Sequence, residues 1–312
     1  MHREWIWRGH RVRYTFTASS SLSASSLDSS LYAPLLLIHG FGASVRHWRS
    51  NIGPLSANRS VYAIDLLGFG ASDKDSTVYG TALWVEQLFD FVTQVIGRNV
   101  VVVGNSLGSV VGLGLAAKHP DVVTAIAWLN LPDFSAVSFP SPIKALTQPI
   151  GELVKRVITW SPIFVPFFRW IRQPAVIKKW VKGAYVDETR LDAELIEILS
   201  APAFDRNAAR ALATMVMSQR ELPSDYTARS ALPKMTLPML LIWGAKDQFV
   251  PPSIAQKIVD FNPAVQLVFL AEVGHCPHDE VPDQINQILL SWLTELPELN
   301  CQSNLGVSNT IN

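Results

Sequence analysis

A serine lies between two glycines in the segment Gly104-Asn105-Ser106-Leu107-Gly108. A run of β-branched residues precedes it and a small, apolar stretch follows it, which predicts a buried strand, a sharp turn and a helix. Larger side chains two residues away on either side would clash in such a turn, so glycine is needed there. G-x-S-x-G in this context is typical of a nucleophile elbow, which would present the Ser106 hydroxyl for attack. The alternative is an ordinary glycine-rich turn with an incidental serine.

A serine hydroxyl needs a general base, and the base needs an acid that orients it. In an elbow-based site the chain order is serine, acid, histidine. His275 follows the last predicted strand in "EVGHCPH", and Asp247 follows the preceding strand in "GAKDQFVP". We therefore predict His275 as the base and Asp247 as its orienting acid. His278 is the alternative base, and Asp133 after the sixth strand is the alternative acid.

The negative charge of a tetrahedral intermediate needs hydrogen-bond donors. The backbone N–H of Leu107, directly after the serine, is one predicted donor, and the N–H of Phe41 in the loop "HGFG" is the other. Losing one such donor typically costs about 3–4 kcal/mol of activation free energy. We predict that His39 braces this loop. We predict that Asp65 stabilises the turn after the fourth strand.

Six short apolar runs precede the polar and glycine residues that could form the site. Continuous apolar runs are typical of a parallel sheet covered on both faces, and sites in such sheets lie at the carboxyl ends of the strands. The alternation between residues 3 and 16 predicts an antiparallel hairpin in front of them. The six runs are Leu35–Ile38, Val61–Ile64, Val100–Val103, Ala125–Leu129, Met239–Trp243 and Val265–Leu270.

The strand–loop–helix rhythm breaks once, between the runs Ala125–Leu129 and Met239–Trp243. This segment predicts several helices interrupted by prolines, inserted where they would cover the carboxyl edge as a lid. We expect an α/β core formed by residues 1–133 and 233–296, a helical lid over 134–232 and a disordered tail over 297–312.

The predicted lid combines basic and aromatic residues. Between Leu153 and Val186 there are seven Lys or Arg residues and no acid. Such a surface suits an anionic membrane, and its aromatics could equally line a substrate pocket. The alternative is a lid whose aromatics only pack on the core. The candidate substrate-binding residues are Trp160, Phe167, Phe168 and Trp170.

Composition excludes several classes of protein. The 312-residue chain has a formal net charge of zero, which argues against a general nucleic-acid binder. Its two cysteines are too few for a disulfide framework or a zinc cluster, and no motif requires a metal or an organic cofactor. The N-terminus lacks the apolar core of a secretory signal, and no window is long enough for a transmembrane helix. We expect a cytoplasmic protein that acts on its substrate without a cofactor.

These motifs together predict a serine hydrolase, and the chain resembles the α/β-hydrolase superfamily over about residues 32–296. Within it, "LLLIHGFGASVRHW", "VYAIDLLGFGASDK", "VVVGNSLGS" and especially "GHCPHDEVP" resemble the pheophytinase and chlorophyll dephytylase branch of oxygenic phototrophs. The resemblance implies an α/β-hydrolase fold with a helical lid after the sixth strand. It also implies hydrolysis of the phytyl ester of chlorophyll or pheophytin, with peripheral contact on a thylakoid membrane. Ser109 stands where many members of the superfamily have a second glycine.

Other functions use the same residues. A general carboxylesterase, lipase or thioesterase would need the same triad, as would a C–C hydrolase or a perhydrolase. Haloalkane dehalogenases and epoxide hydrolases are disfavoured, because they need an aspartate where Ser106 stands. A ligand receptor built on a hydrolase scaffold is a non-catalytic alternative.

Overall fold

A single eight-stranded sheet organises the computed structural model, which describes residues 2–20, 32–75, 78–133, 135, 161–218 and 224–296. The strand order is β1-β2-β4-β3-β5-β6-β7-β8. The pairs β1–β2 and β2–β4 are antiparallel, and all the other pairs are parallel. The strands are β1 His2–Trp7, β2 His10–Thr17, β3 Leu35–Ile38, β4 Val61–Ile64, β5 Val100–Asn105, β6 Val123–Leu129, β7 Met239–Gly244 and β8 Val265–Leu270.

Helices connect the strands and flank the sheet. The helix Thr81–Phe91 continues as a π-helical turn over Val92–Ile96. Short 3₁₀ turns fill several of the connections, including Val45–Trp48, Lys182–Ala184 and Glu188–Arg190. The described α-helices are α1 Ile52–Leu55, α2 Thr81–Phe91, α3 Leu107–Lys118, α4 Ser161–Ile171, α5 Pro174–Val181, α6 Ala193–Ser200, α7 Ala208–Ser218, α8 Ala228–Ala231, α9 Ser253–Val259, α10 Pro277–Glu280 and α11 Pro282–Glu295.

The third strand shows why the central runs are apolar throughout. All four of its residues are buried. Leu36 and Ile38 belong to the core on one face of the sheet, whereas Leu35 and Leu37 belong to the core on the other face. Because successive side chains point to opposite faces, a strand covered on both sides needs an apolar residue at every position.

The predicted fold class is confirmed. Each of the six apolar runs forms a strand, and residues 2–17 form the predicted hairpin. Three strands are longer than predicted: β5 extends to Asn105, β6 begins at Val123 and β7 extends to Gly244. The extra residues of β5 and β7 are polar or glycine, so hydrophobicity alone does not reveal them.

Helices α4 to α8 occupy the described part of the chain between β6 and β7. The boundaries 134–232 of the lid remain a prediction, because residues 136–160 lie outside the described residues, as does the tail 297–312. Across the described ranges, none of the helices has both the length and the apolarity to cross a bilayer.

Candidate active site

Ser106 lies between the end of β5 and the start of α3, in a backbone conformation with φ 52° and ψ −116°. Positive φ is uncommon for residues other than glycine, so the turn is strained. The elbow is also tight: a Cβ at Gly108 would overlap the carbonyl of Ile38, and one at Gly104 would overlap the backbone of Gly108. Glycine is required at both positions because backbone atoms occupy the space that a side chain would need.

His275 connects Ser106 to Asp247. Its Nε2 lies 2.8 Å from Ser106 Oγ, and its Nδ1 lies 2.7 Å from Asp247 Oδ2. Since a carboxylate can only accept, the proton belongs on Nδ1, which leaves Nε2 able to accept the hydrogen bond from the serine hydroxyl. This is the arrangement in which a histidine can take a proton from a serine.

The carboxylate of Asp247 is hydrogen-bonded at both oxygens. Oδ1 accepts from the backbone N–H groups of Phe249 at 2.8 Å and Val250 at 2.9 Å, and Oδ2 accepts from Asn130 Nδ2 at 2.6 Å as well as from His275. Burial acts to raise the pKa of Asp247, but the interactions with His275, Val250 and Asn130 outweigh it and hold the pKa below its ordinary value. The group therefore stays ionised beside His275.

Asn130 was missed by the sequence analysis. It is fully buried after β6, has φ 52°, and also donates to the carbonyl oxygen of Gly274 at 3.3 Å. The one sequence feature that could have indicated Asn130 is its position in "NLPD", directly after a strand at the carboxyl edge of the sheet. In that segment only Asp133 was considered as a candidate acid.

Asp133, the alternative acid, is committed elsewhere. Its Oδ1 accepts from the backbone N–H of Ser135 at 2.7 Å, and its Oδ2 accepts from the N–H of Ala228. The carboxylate thereby holds the start of the short helix Ala228–Ala231. In the described part of the chain it has no hydrogen bond to His275.

His278, the alternative base, is fully buried behind the site. Its Nε2 lies 3.3 Å from Nδ1 of His47, and its ring packs on Trp48 with centroids 4.3 Å apart. Burial lowers its pKa well below the ordinary value, with a further contribution from His47. Its contacts are those of a neutral core residue, and within the described residues it makes no hydrogen bond to Ser106.

The loop after β3 contains one of the two predicted donors for an oxyanion. Among the described residues, no acceptor is hydrogen-bonded to the N–H of Phe41 or to that of Leu107. His39 lies beneath this loop: its Nδ1 donates to the carbonyl of Gly40 at 2.7 Å, and its Nε2 accepts from the N–H of Leu66 at 3.1 Å. With one nitrogen donating and the other accepting, the ring is neutral and braces the loop. Burial accordingly lowers the pKa of His39.

Asp65 stabilises the neighbouring turn. Its Oδ1 accepts from the N–H of Val45 at 2.6 Å, and its Oδ2 accepts from the N–H of Ala71 at 2.7 Å. Burial raises the pKa of this carboxyl, against the opposing effect of His39. These contacts are local and structural.

Asn105, the residue before the serine, fixes the histidine loop to the sheet. Its Nδ2 donates to the carbonyl of His275 at 3.1 Å and to that of Leu129 at 3.4 Å. The elbow and the histidine are therefore connected through the backbone of His275 as well as through its ring.

An apolar cavity of about 120 Å³, open to solvent, adjoins the loop after β3 that contains Phe41. Lys74 also borders it, but its ammonium donates to Asp205 Oδ2 at 2.8 Å and to the carbonyl of Gly70 at 2.6 Å. The cavity therefore presents mainly hydrocarbon to a ligand. Lining residues that are apolar and come from both the core and the insertion include Phe41, Phe69, Phe168, Leu199, Leu212 and Met215.

The four aromatic candidates of the lid lie in different environments. Phe168 is buried against Phe164 and lines the cavity. Phe167 and Trp170 are 45% and 57% exposed on the outer surface of the same helix. Trp160 lies outside the described residues. The sequence predicted an aromatic lid, but not which of its faces each ring occupies.

Comparisons with known proteins agree with this architecture. The chain is 28% identical to the chloroplastic pheophytinase of Arabidopsis thaliana over 95% of its own length, and the match spans 66% of that protein, less than two thirds. It is 27% identical to lipase 3 of Moraxella sp. (strain TA144), covering 85% of this chain and 82% of the lipase. A solved structure of a membrane phospholipase A superposes with a TM-score of 0.73 at 24% identity, covering 95% of this chain and 86% of that one.

A family model decides the membership. The model described as the alpha/beta hydrolase family matches residues 35–288, which is most of the chain and includes Ser106, Asp247 and His275. The chain belongs to the alpha/beta hydrolase family.

Proposed function

We propose that this hydrolase cleaves a carboxylic ester through an acyl-enzyme formed on Ser106. One observation carries the proposal: His275 lies within hydrogen-bond distance of both Ser106 Oγ and the ionised Asp247. This arrangement supplies a nucleophile, a base in the correct tautomer and an orienting acid in one connected set.

The reaction would proceed in two halves. His275 Nε2 takes the proton of Ser106 as Oγ forms a bond to the ester carbonyl carbon, and the oxyanion accepts from the N–H groups of Phe41 and Leu107. Collapse breaks the C–O bond to the alcohol, which leaves with the proton from His275. Water then bonds to the acyl carbon while it gives a proton to His275, and collapse breaks the bond to Ser106 Oγ, which takes that proton back as the free acid departs.

A phytyl ester of chlorophyll or pheophytin is the substrate that we propose. The match to pheophytinase covers nearly the whole chain, and the apolar cavity beside Phe41 suits a long hydrocarbon group. A lipid ester is the competing substrate, supported by the match to lipase 3. Both candidate substrates are hydrophobic esters, so the apolar cavity does not distinguish between them.

The outer face of the insertion has the features of a membrane-binding surface. Phe167, Trp170 and Trp180 are 45%, 57% and 68% exposed, and Lys178 and Lys179 are exposed beside them. The stretch from Leu153 to Val186 contains no acid, and exposed aromatics interleaved with basic residues are typical of a surface that lies on anionic lipids. We propose that the protein meets its substrate through this face, on a thylakoid membrane if the substrate is a chlorophyll pigment.

The first experiment measures phytol release from chlorophyll a and pheophytin a by the purified protein and by Ser106→Ala. Release that disappears in the variant would support dephytylation, and the ratio of the two rates would identify the preferred pigment. Cleavage of triglycerides or of short p-nitrophenyl esters without any phytol release would reject the pigment and retain the ester hydrolase. Phytol release by a folded Ser106→Ala protein at the wild-type rate would reject the nucleophile.

Membrane contact is tested by co-sedimentation with vesicles of phosphatidylcholine alone and of phosphatidylcholine with phosphatidylglycerol. The double variant Trp170→Ser/Trp180→Ser should bind the anionic vesicles less tightly than the wild type. Ile6→Ser is the matched control, because Ile6 is 66% exposed on the first strand and lies outside the insertion. Equal binding by all three proteins would reject this face as the docking surface.

A further inference from the structure

The insertion contacts the loop of the candidate base through its backbone. The N–H of His275 donates to the carbonyl of Ala184 at 2.7 Å. A Cβ at Gly274 would overlap the same carbonyl, so only glycine allows these two segments of the chain to approach so closely. The segment Ala184–Arg190 of the insertion therefore lies directly on the loop that carries His275.

The buried carboxylate of Glu280 is shared between these two segments. Oε1 accepts from the N–H groups of Val186 at 2.6 Å and Asp187 at 2.8 Å. Oε2 accepts from the N–H of Gly274 at 2.7 Å, directly before the histidine. Glu280 is only 4% exposed, so these hydrogen bonds to its carboxylate are shielded from water, which strengthens them.

Tyr185 makes a second connection. Its hydroxyl donates to Asp279 Oδ2 at 3.0 Å and accepts from His47 Nε2 at 2.9 Å. Burial raises the pKa of Tyr185 well above its ordinary value, which keeps the hydroxyl protonated and able to donate. The guanidinium of Arg190 adds two hydrogen bonds to the carbonyl of Asp279, at 2.6 and 3.0 Å.

We propose that Glu280, with Tyr185 as a second connection, is a positioning residue through which the insertion holds His275 at Ser106. The inference rests on the proposed function, because it assigns His275 the role of base. Neither residue contacts Ser106 within the described chain, so each acts through the histidine loop. The insertion then has two tasks: it lines the cavity, and it fixes the base.

Glu280→Gln isolates the connection to Gly274. The amide oxygen can still accept from Val186 and Asp187, but the amide NH₂ then faces the N–H of Gly274, and two donors oppose each other. We expect kcat to fall about 10- to 100-fold with KM changed less than about 2-fold, since a misplaced catalytic group loses rate rather than ground-state binding. The substrate is the ester that wild type cleaves fastest.

A purely structural role is separated from positioning by a double-mutant cycle with His275→Ala. If Glu280 acts through the histidine, Glu280→Gln lowers the residual rate of His275→Ala no further. The same fold-loss in both backgrounds would overturn the proposal, as would unchanged kcat in the single variant. Asp133→Asn is the matched control, because Asp133 is also a buried acceptor of backbone N–H groups at this edge and should leave kcat of folded protein unchanged.

Tyr185→Phe tests the proposal should Glu280→Gln fail to fold. It removes one hydroxyl and retains the ring, and we expect a loss in kcat that again disappears in the His275→Ala background. Wild-type kcat in folded Tyr185→Phe would overturn the proposal in that case. Retention of activity in Ser106→Ala would instead reject the proposed function itself, so the two failures are distinguishable.

Discussion

Asn130 donates from Nδ2 to Oδ2 of Asp247 at 2.6 Å, across a separation of 117 residues in the chain. The same amide donates to the carbonyl of Gly274 at 3.3 Å, and its oxygen accepts from the N–H of Gly244 at 3.4 Å. One buried side chain thus connects the end of β6, the end of β7 and the loop before His275. Its φ of 52° is a conformation that asparagine tolerates better than most residues.

Asn130→Gly should lower kcat by about 10- to 100-fold. Glycine accepts the positive φ, so only the amide is lost, and a hydrogen bond to a charged group is worth about 1.5–3 kcal/mol. Asn207→Gly is the matched control, because Asn207 has φ 69° but is exposed in the insertion. Steady-state kinetics of both variants check the prediction, and equal kcat in the two would contradict it.

Asp247→Asn should reduce kcat by about 10⁴-fold without unfolding the protein. The amide NH₂ of asparagine would face His275 Nδ1, so the ring proton moves to Nε2, and the histidine can no longer accept from Ser106. Asp133→Asn should keep kcat and lose stability instead, since its carboxylate holds Ala228. Kinetics paired with urea unfolding separate the two variants. A large loss of kcat in Asp133→Asn alone would identify Asp133, after β6, as the acid that orients His275.

The sequence was sufficient where a local pattern encodes the structure. Continuous apolar runs predicted the central strands, and the glycines around Ser106 predicted the tight turn whose neighbours the structure now shows. Asn130 and Glu280 could not be predicted in this way. Each is a buried polar residue with partners distant in the chain, Asp247 for Asn130 and the backbone of Val186 and Asp187 for Glu280. No spacing rule identifies such a residue before the fold is known.

The sequence also does not predict which aromatic residues of the insertion are buried and which are exposed. Phe167 and Phe168 are adjacent in sequence, yet one is exposed and the other lines the cavity. Prolines interrupt this part of the chain, so the start and phase of each helix were uncertain from sequence, and the phase decides which ring faces inward.

Gly108→Ala should destabilise the protein by about 2 kcal/mol or more, because its Cβ would overlap the backbone carbonyl of Ile38, which cannot move without displacing β3. Gly53→Ala is the control: nothing lies within 4 Å of a Cβ there, and alanine favours its short helix. Thermal unfolding of the two variants tests this. A melting temperature for Gly108→Ala equal to that of the control would show that the elbow can relax.

Acidification should destabilise the fold through its buried histidines. Burial lowers the pKa of His47 to about 4, from about 6.5 in an unfolded chain. Between these values the unfolded state binds the extra proton, so the free energy of unfolding falls as the pH is lowered through this window. For His47 alone the slope approaches about 1.4 kcal/mol per pH unit, or about 3 kcal/mol in total.

His47→Gln isolates this contribution in urea unfolding at about pH 7, 6 and 5. Glutamine can donate to Tyr185 and accept from His278 as His47 does, but it does not titrate. The variant should therefore lose less stability than the wild type between about pH 6.5 and 4, whereas titratable groups that do not interact with His47 contribute equally to both proteins and cancel. Parallel stability curves for the two proteins would mean that His47 binds its proton with the same pKa in the folded and unfolded states, and would contradict a pKa lowered by burial.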